Sequence, residues 1–229
     1  MRYTGAMQID IISDVVCPWC YIGKRRLERA LAEFAVRAPH VVPERRWHPF
    51  ELNPDLPAEG VDRAQYLASK FGGAERAAAV YARVRAAGES VGLALDFDGI
   101  ARQPNTRDAH RLLAWASEQS LAVADHLAEV LFRAYFTERR FVGDPEVLVA
   151  LASDVGLDGG EARAMLASDA HRGAIEALEQ RAHGLGVTGV PFFIFADRLA
   201  VSGAQTPEVM LEALTEAVGL LTTPMPASR

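Results

Sequence analysis

The apolar positions change period three times along the chain. MQIDIISDVV, Met7–Val16, places Ile9, Ile11 and Ile12 among polar breaks, which predicts a strand. After Cys17 the period lengthens. Tyr21, Leu27, Ala30, Leu31 and Phe34 share one face of an amphipathic helix, and Lys24, Arg25, Arg26, Glu28 and Arg29 fill the polar positions. Pro39 and Pro43 are read as bracketing a turn. A second strand follows in ERRWHPFEL, Glu44–Leu52, where Pro49 suggests an edge or a bulge.

From Pro54 the texture becomes helical and alanine-rich. Segments are predicted at Asp62–Phe71, Ala74–Ser90, Thr106–Ser120, Val123–Thr137, Pro145–Val155, Gly160–Ser168 and Ala170–Leu185, with a short extended piece at Leu93–Phe97. Strand character returns in VTGVPFFIF, Val187–Phe195, and in Leu199–Val201, separated by a turn at Asp197–Arg198. Thr206 is the expected cap of a last helix, with Pro207 in its first turn, and the tail TTPMPASR is expected to be mobile. Each β-bearing end has too few strands for its own sheet. One shared sheet interrupted by a helical insertion is the economical solution, because separate half-sheets would expose unpaired edges.

Composition narrows the function. The 229 residues are 50% apolar and 24% charged, as expected for a globular chain, and the net charge is -6. Short basic clusters (Lys24-Arg25-Arg26, Arg45-Arg46) do not make the dense cationic face that nucleic acid needs. No apolar run approaches the roughly 20 residues of a membrane span, and the N-terminus lacks the pattern of an export signal. The expected compartment is the cytoplasm, where thiols are kept reduced.

Both cysteines lie in CPWC, Cys17 and Cys20, where the strand gives way to the helix. A bridge there would close a tiny loop and stabilise little. With Cys17 at the N-cap and Pro18 at the first helical position, the amides of the first turn and the helix dipole favour a thiolate on Cys17. Cys20, one turn in, would resolve the mixed disulfide. A zinc half-site needs two further ligands; there is no second CxxC, and the six histidines are scattered, so no metal is expected. Two inert core cysteines are the remaining alternative. Downstream, Val190-Pro191 opens an apolar strand; a cis bond there would expose the Val190 backbone to a substrate strand, whereas a trans bond would make an ordinary strand-initial proline. Asp14, three residues before Cys17, either lies near the thiols, where a carboxylate could relay protons, or only ends the strand.

CPWC followed by YIGKRRLERAL, together with GVTGVPFFIF, FELNPDLP, NTRDAHRLLAWA and FVGDPEVLVALASDVGLD, resembles the DsbA family of the thioredoxin superfamily over Met7–Leu221. The phrases are most similar to its FrnE-like, 2-hydroxychromene-2-carboxylate isomerase-like branch. The resemblance implies an α/β, thioredoxin-like fold from residues 7–55 and 186–221 with an α-helical insertion over 56–185. It implies Cys17 and Cys20 as the redox pair, Pro191 as a cis-proline, and Thr188 to Val190 as the loop facing the pair. The implied activity is thiol–disulfide exchange on protein or small-molecule disulfides, as reduction, isomerisation or a dedicated redox step. No resident cofactor is expected; glutathione is the candidate co-substrate, as in the isomerase and kappa-class transferase relatives. Trp19 stands where the family often carries histidine, so a less acidic Cys17 and a less oxidising couple are expected. His48, Asn53 and Asn105 are candidate groove residues, and Trp19 and Trp47 candidate rim residues. Two other functions remain open on these residues: a glutathione-dependent isomerase or transferase, and a chaperone-like module using the groove alone. A monomer and a homodimer are both compatible with the sequence.

Overall fold

The computed structural model describes residues 3–221; the expectation for the tail lies outside them. The first strand, β1 (Gly5–Ser13), enters α1 (Pro18–Arg37) through a tight turn, and β2 (Val41–Pro49) returns parallel to β1. Helices α2 (Arg63–Phe71), α3 (Ala74–Glu89), α4 (Arg107–Gln119), α5 (Leu121–Phe136), α6 (Pro145–Asp154), α7 (Gly159–Ala167) and α8 (Arg172–Gly184) come next. A small ribbon lies among them, β3 (Val61–Asp62) paired with β4 (Arg102–Gln103). The chain then forms the antiparallel strands β5 (Phe192–Phe195) and β6 (Leu199–Ser202) and the helix α9 (Pro207–Leu221).

The two ends of the chain build one sheet of order β2-β1-β5-β6. β1 sits at its centre, pairing with β2 in parallel and β5 antiparallel. This is a thioredoxin-like fold with a helical insertion between β2 and β5. The period-2 alternation of β1 divides the sheet. Met7, Ile9, Ile11, Trp47, Phe193 and Phe195 join the main core with Leu27, Ala30 and Phe34 of α1. Ile12 belongs to a smaller cluster on the other face with Phe50, Ala182 and Val187.

Several boundaries differ from the sequence reading. β1 stops at Ser13, because Asp14–Val16 are used in the turn into α1. Pro43 is not in a turn; it lies in β2, an edge strand whose outer side needs no partner for a missing N–H. Val187–Pro191 is loop, and β5 begins only at Phe192. The β5–β6 turn centres one residue earlier than expected, on Ala196 and Asp197, both with positive φ (53 and 55), closed by Arg198 N–H donating to Phe195 O at 3.0 Å. Leu93–Phe97 forms no strand; Asp96 N–H instead donates to Phe136 O at 2.8 Å.

A charged cluster ties α5 to α1. The nearly inaccessible Lys24 donates to Glu129 at 2.8 Å, Arg25 also pairs with Glu129, and the Tyr21 hydroxyl donates to Glu129 Oε1 at 2.7 Å. Tyr21 stacks on Phe132 with ring centroids 5.1 Å apart. Glu129 and Glu28 together neutralise Lys24, which has almost no access to water. Removing Glu129 leaves Lys24 and Arg25 with Glu28 alone and the buried Tyr21 hydroxyl without its acceptor, a loss of about 1–3 kcal/mol. Chemical denaturation of Glu129→Ala should show a loss of that size; a change within the scatter of surface substitutions would contradict the clamp.

Candidate active site

The turn from β1 into α1 is set by backbone and carboxylate together. Cys17 N–H donates to Asp14 O, and Cys20 N–H to Cys17 O, both at 3.0 Å. Cys17 is the N-cap in extended conformation and Pro18 opens the helix, where its missing N–H costs nothing. The Cys17 side chain makes no capping hydrogen bond to the first-turn amides, contrary to the sequence reading. Its Sγ–H instead donates to Val190 O at 3.6 Å. The helix N-terminus still contributes its dipole; the Val190 carbonyl contributes an acceptor that only the protonated sulfur can use.

Val190 comes from the loop before β5, and the Val190–Pro191 peptide bond is cis. Pro191 is buried against α1 at Gly23, where an added Cβ would meet Pro191 Cγ at 3.0 Å and Phe193 Cζ at 3.2 Å. A side chain at position 23 would push the proline loop off the helix that carries the thiols. Thr188, nearer the start of that loop, is exposed.

The two thiols are free and unequal. Cys17 lines a groove of about 220 Å³ with Val16, Pro18, Trp19, Asn53, Tyr66 and Lys70. Trp19 is 37% exposed, an unusual setting for a large apolar ring, and forms part of the groove wall. Cys20 is 2% exposed. Burial pushes its thiol well above the ordinary range; the Cys17 sulfur adds to this, and Ser13 and the Asp14 backbone oppose it. Asp14 is fully buried. Its Oδ2 accepts from Leu52 N–H at 2.8 Å, and its Oδ1 lies 3.4 Å from His110 Nε2.

Of the groove candidates, Asn53 is in the groove, its Oδ1 accepting from the Tyr66 hydroxyl at 2.6 Å. His48 is on the opposite face of the sheet, bonded through Nε2 to Asp10 Oδ1 at 2.6 Å, because even-numbered positions of β2 point away from the main core. Burial works against the Asp10 carboxylate, but the hydrogen bonds from His48 and Gln8 hold it below its ordinary value. Asn105 is elsewhere too. Its amide donates to Leu56 O at 2.9 Å and its Oδ1 accepts from Arg107 N–H at 3.0 Å, so it staples the loop before α4. Trp47 is no rim residue; it is buried and donates through Nε1 to Asp125 at 3.0 Å. Trp115 packs half-buried within the helical insertion.

Sequence reasoning missed the far wall of the groove. Tyr66, Lys70 and Phe71 of α2, Val80, Tyr81 and Val84 of α3, and Gln103 of β4 complete it. Behind Tyr81 and Gln103 lies Arg63, 2% exposed, donating to Gln103 Oε1 at 2.6 Å, to Tyr135 at 2.7 Å and to Tyr81 at 3.1 Å. All three acceptors are neutral. The groove therefore has a buried cation in its second layer and Lys70 on its wall. The described residues contain no cluster of three or more potential metal ligands.

Residues 8–215 match the DSBA-like thioredoxin domain. The chain belongs to that family. A probable DsbA oxidoreductase from Streptomyces coelicolor is 38% identical, with a TM-score of 0.84 over 97% of this chain and 94% of that one. The cytosolic disulfide reductase DsbM from Pseudomonas aeruginosa, solved with GSH, shares the fold at 17% identity and a TM-score of 0.62, over 93% of this chain and 96% of that one. A 2-hydroxychromene-2-carboxylate isomerase does so at 18% identity and 0.64, over 93% and 95%. The reductase and the isomerase show a shared fold.

Alkylation tests the inequality of the thiols. Iodoacetamide at neutral pH, read by peptide mass spectrometry, should label Cys17 and spare Cys20. Cys20 labelling should rise only as the solution becomes strongly alkaline, because its raised ionisation keeps it protonated until then. Equal labelling at neutral pH would contradict the assignment.

Proposed function

We propose that the protein is a thiol–disulfide oxidoreductase that works in the cytoplasm, chiefly as a reductant. Cys17 attacks a substrate disulfide lying in the groove between Trp19 and the α2–α3 wall. Cys20 then attacks the Cys17 sulfur and releases the second substrate thiol. Thr188, Val190 and Pro191 flank the reacting sulfur and present backbone to the substrate. The observation that carries this reading is the placement of Cys17: at a helix N-terminus, opening on the groove, with its sulfur hydrogen-bonded to Val190 O at 3.6 Å. The reducing direction is supported by the lack of groups that would stabilise a thiolate in the reduced pair: the Cys17 sulfur makes no hydrogen bond to the first-turn amides, and burial pushes the Cys20 thiol up. It is supported as well by Trp19, which brings no charge to the site.

Glutathione is the co-substrate favoured by the groove's charge. Lys70 and the buried Arg63 have no carboxylate partner at hydrogen-bond distance among the described residues, which suits them to a thiol that carries carboxylates. A glutathione-dependent isomerase would use the same groove and would not need Cys20.

Insulin-disulfide reduction with glutathione as the electron source separates the readings. Wild type should reduce insulin, Cys17→Ser should fall to background, and Cys20→Ser should stall as a mixed disulfide detectable by mass. Equal activity of wild type and Cys17→Ser would end the oxidoreductase reading. Undiminished turnover in Cys20→Ser would favour the glutathione-dependent chemistry.

A further inference from the structure

A second cavity, of about 240 Å³, lies behind the thiols and is separate from the substrate groove. Val15, Trp47, Leu113 and Phe132 make its walls apolar, yet Ser13 and His110 also line it. Both are 3% exposed; neither Ser13 Oγ nor His110 Nε2 makes a hydrogen bond within the described residues, although Nε2 lies 3.4 Å from Asp14 Oδ1. Two orphaned polar groups facing one cavity are normally satisfied by water, and one water occupies only about 30 Å³ of liquid volume. The space holds several. Its mouth is marked by the more exposed Arg46, His48 and Glu118, with His171 nearby.

Ser13 also borders Cys20. Its hydroxyl and the Asp14 backbone both ease ionisation of the Cys20 thiol, against the burial that opposes it. The cavity therefore runs from the neighbour of the resolving thiol, past an imidazole, to the surface. His110 comes from α4 of the insertion, and a proton arriving on its ring makes an ion pair with the buried Asp14 carboxylate across 3.4 Å. Glu51, itself buried and held by Arg107 at 3.0 Å, adds a second carboxylate whose field reaches His110.

We propose that this cavity is the proton exit of the resolving thiol, with the Ser13 hydroxyl and cavity water carrying the Cys20 proton to His110. The proposal rests on the redox reading above and supplies the step that it leaves open. In the mixed disulfide, Cys20 Sγ–H gives its proton to this relay while its sulfur pair forms the bond to Cys17 Sγ. The bond from Cys17 Sγ to the substrate sulfur breaks, and that sulfur leaves as a thiolate. The enzyme dithiol is oxidised to a disulfide, and the substrate disulfide is reduced to two thiols. The proton held on His110 passes to bulk water through the mouth of the cavity. Ser13 lies beside the reacting thiol; His110 acts through it and is a positioning and proton-holding residue.

The reaction of the reduced protein with 5,5′-dithiobis(2-nitrobenzoate) reads the two steps separately. Attack by Cys17 releases the first thionitrobenzoate and attack by Cys20 the second. Stopped-flow traces over about pH 5 to 8, where imidazoles titrate, give the profile of each phase. In His110→Gln the first phase should be unchanged, while the second slows by on the order of 100-fold at neutral pH and loses its inflection. Ser13→Ala should slow the second phase in the same direction. In wild type, D₂O should slow the second phase and leave the first unaltered, a readout that needs no variant. A second phase with wild-type rate and pH profile in His110→Gln, or one insensitive to D₂O, would overturn the relay and leave the redox reading standing. A wild type that releases no thionitrobenzoate from Cys17 would overturn the redox reading and the relay with it.

Discussion

Asp14 is the point on which the site hangs. It is a carboxylate with no exposed surface, and each of its oxygens is committed. The backbone oxygen accepts from Cys17 N–H, Oδ2 from Leu52 N–H, and Oδ1 lies beside Val16 N–H and the His110 ring. One residue thus joins the end of β1, the start of α1, the segment beyond β2 and helix α4 of the insertion. The groove needs all of them at once, because Cys17 comes from α1, Asn53 from the segment beyond β2 and Tyr66 from the insertion. Glu129 makes the second tie, between the insertion and α1. The two carboxylates hold the helical part against the thioredoxin-like part on either side of the thiols.

The same junction decides what surrounds the two sulfurs. A helix N-terminus favours negative charge on the N-cap side chain. Here the Cys17 sulfur turns to a carbonyl rather than to the amides, and Cys20 is sealed from water. With neither an amide nor a side-chain charge stabilising a thiolate, the reduced pair is not favoured over the disulfide, which is the thermodynamic requirement of a reductant. A histidine at position 19 would pull the other way through its charge. Trp19 instead gives the groove an apolar wall, shifting the residue's contribution from ionisation to substrate contact.

What was legible in the sequence was local. Pro18 after Cys17 marks a helix start whatever surrounds it, and the return of strand periodicity at Phe192 requires a partner strand, which β1 supplies. The long α4 and α5 helices follow from their apolar stripes. Features set by distant chain segments were not legible. His48 and Asn53 sit in similar polar phrases, but the pleat of β2 sends His48 to Asp10 on the other face, while Asn53 lies beyond the strand and reaches the groove. Asn105 bonds to a loop some fifty residues away, a partner that no local pattern announces. The α2–α3 wall is assembled by tertiary packing, and its alanine-rich helices looked like any amphipathic pair. The two-residue strands β3 and β4 are too short to carry a period.

The central claim is that this site withholds from its reduced pair the thiolate stabilisation that makes DsbA a strong oxidant. Equilibration of the purified protein in glutathione redox buffers, with the Cys17–Cys20 state read by thiol trapping and mass, measures the potential of the pair. The account predicts a couple well below the strongly oxidising value of about -120 mV typical of DsbA, within the range of cytosolic reductants and glutaredoxins at about -200 to -270 mV. A potential as oxidising as that of DsbA would contradict it.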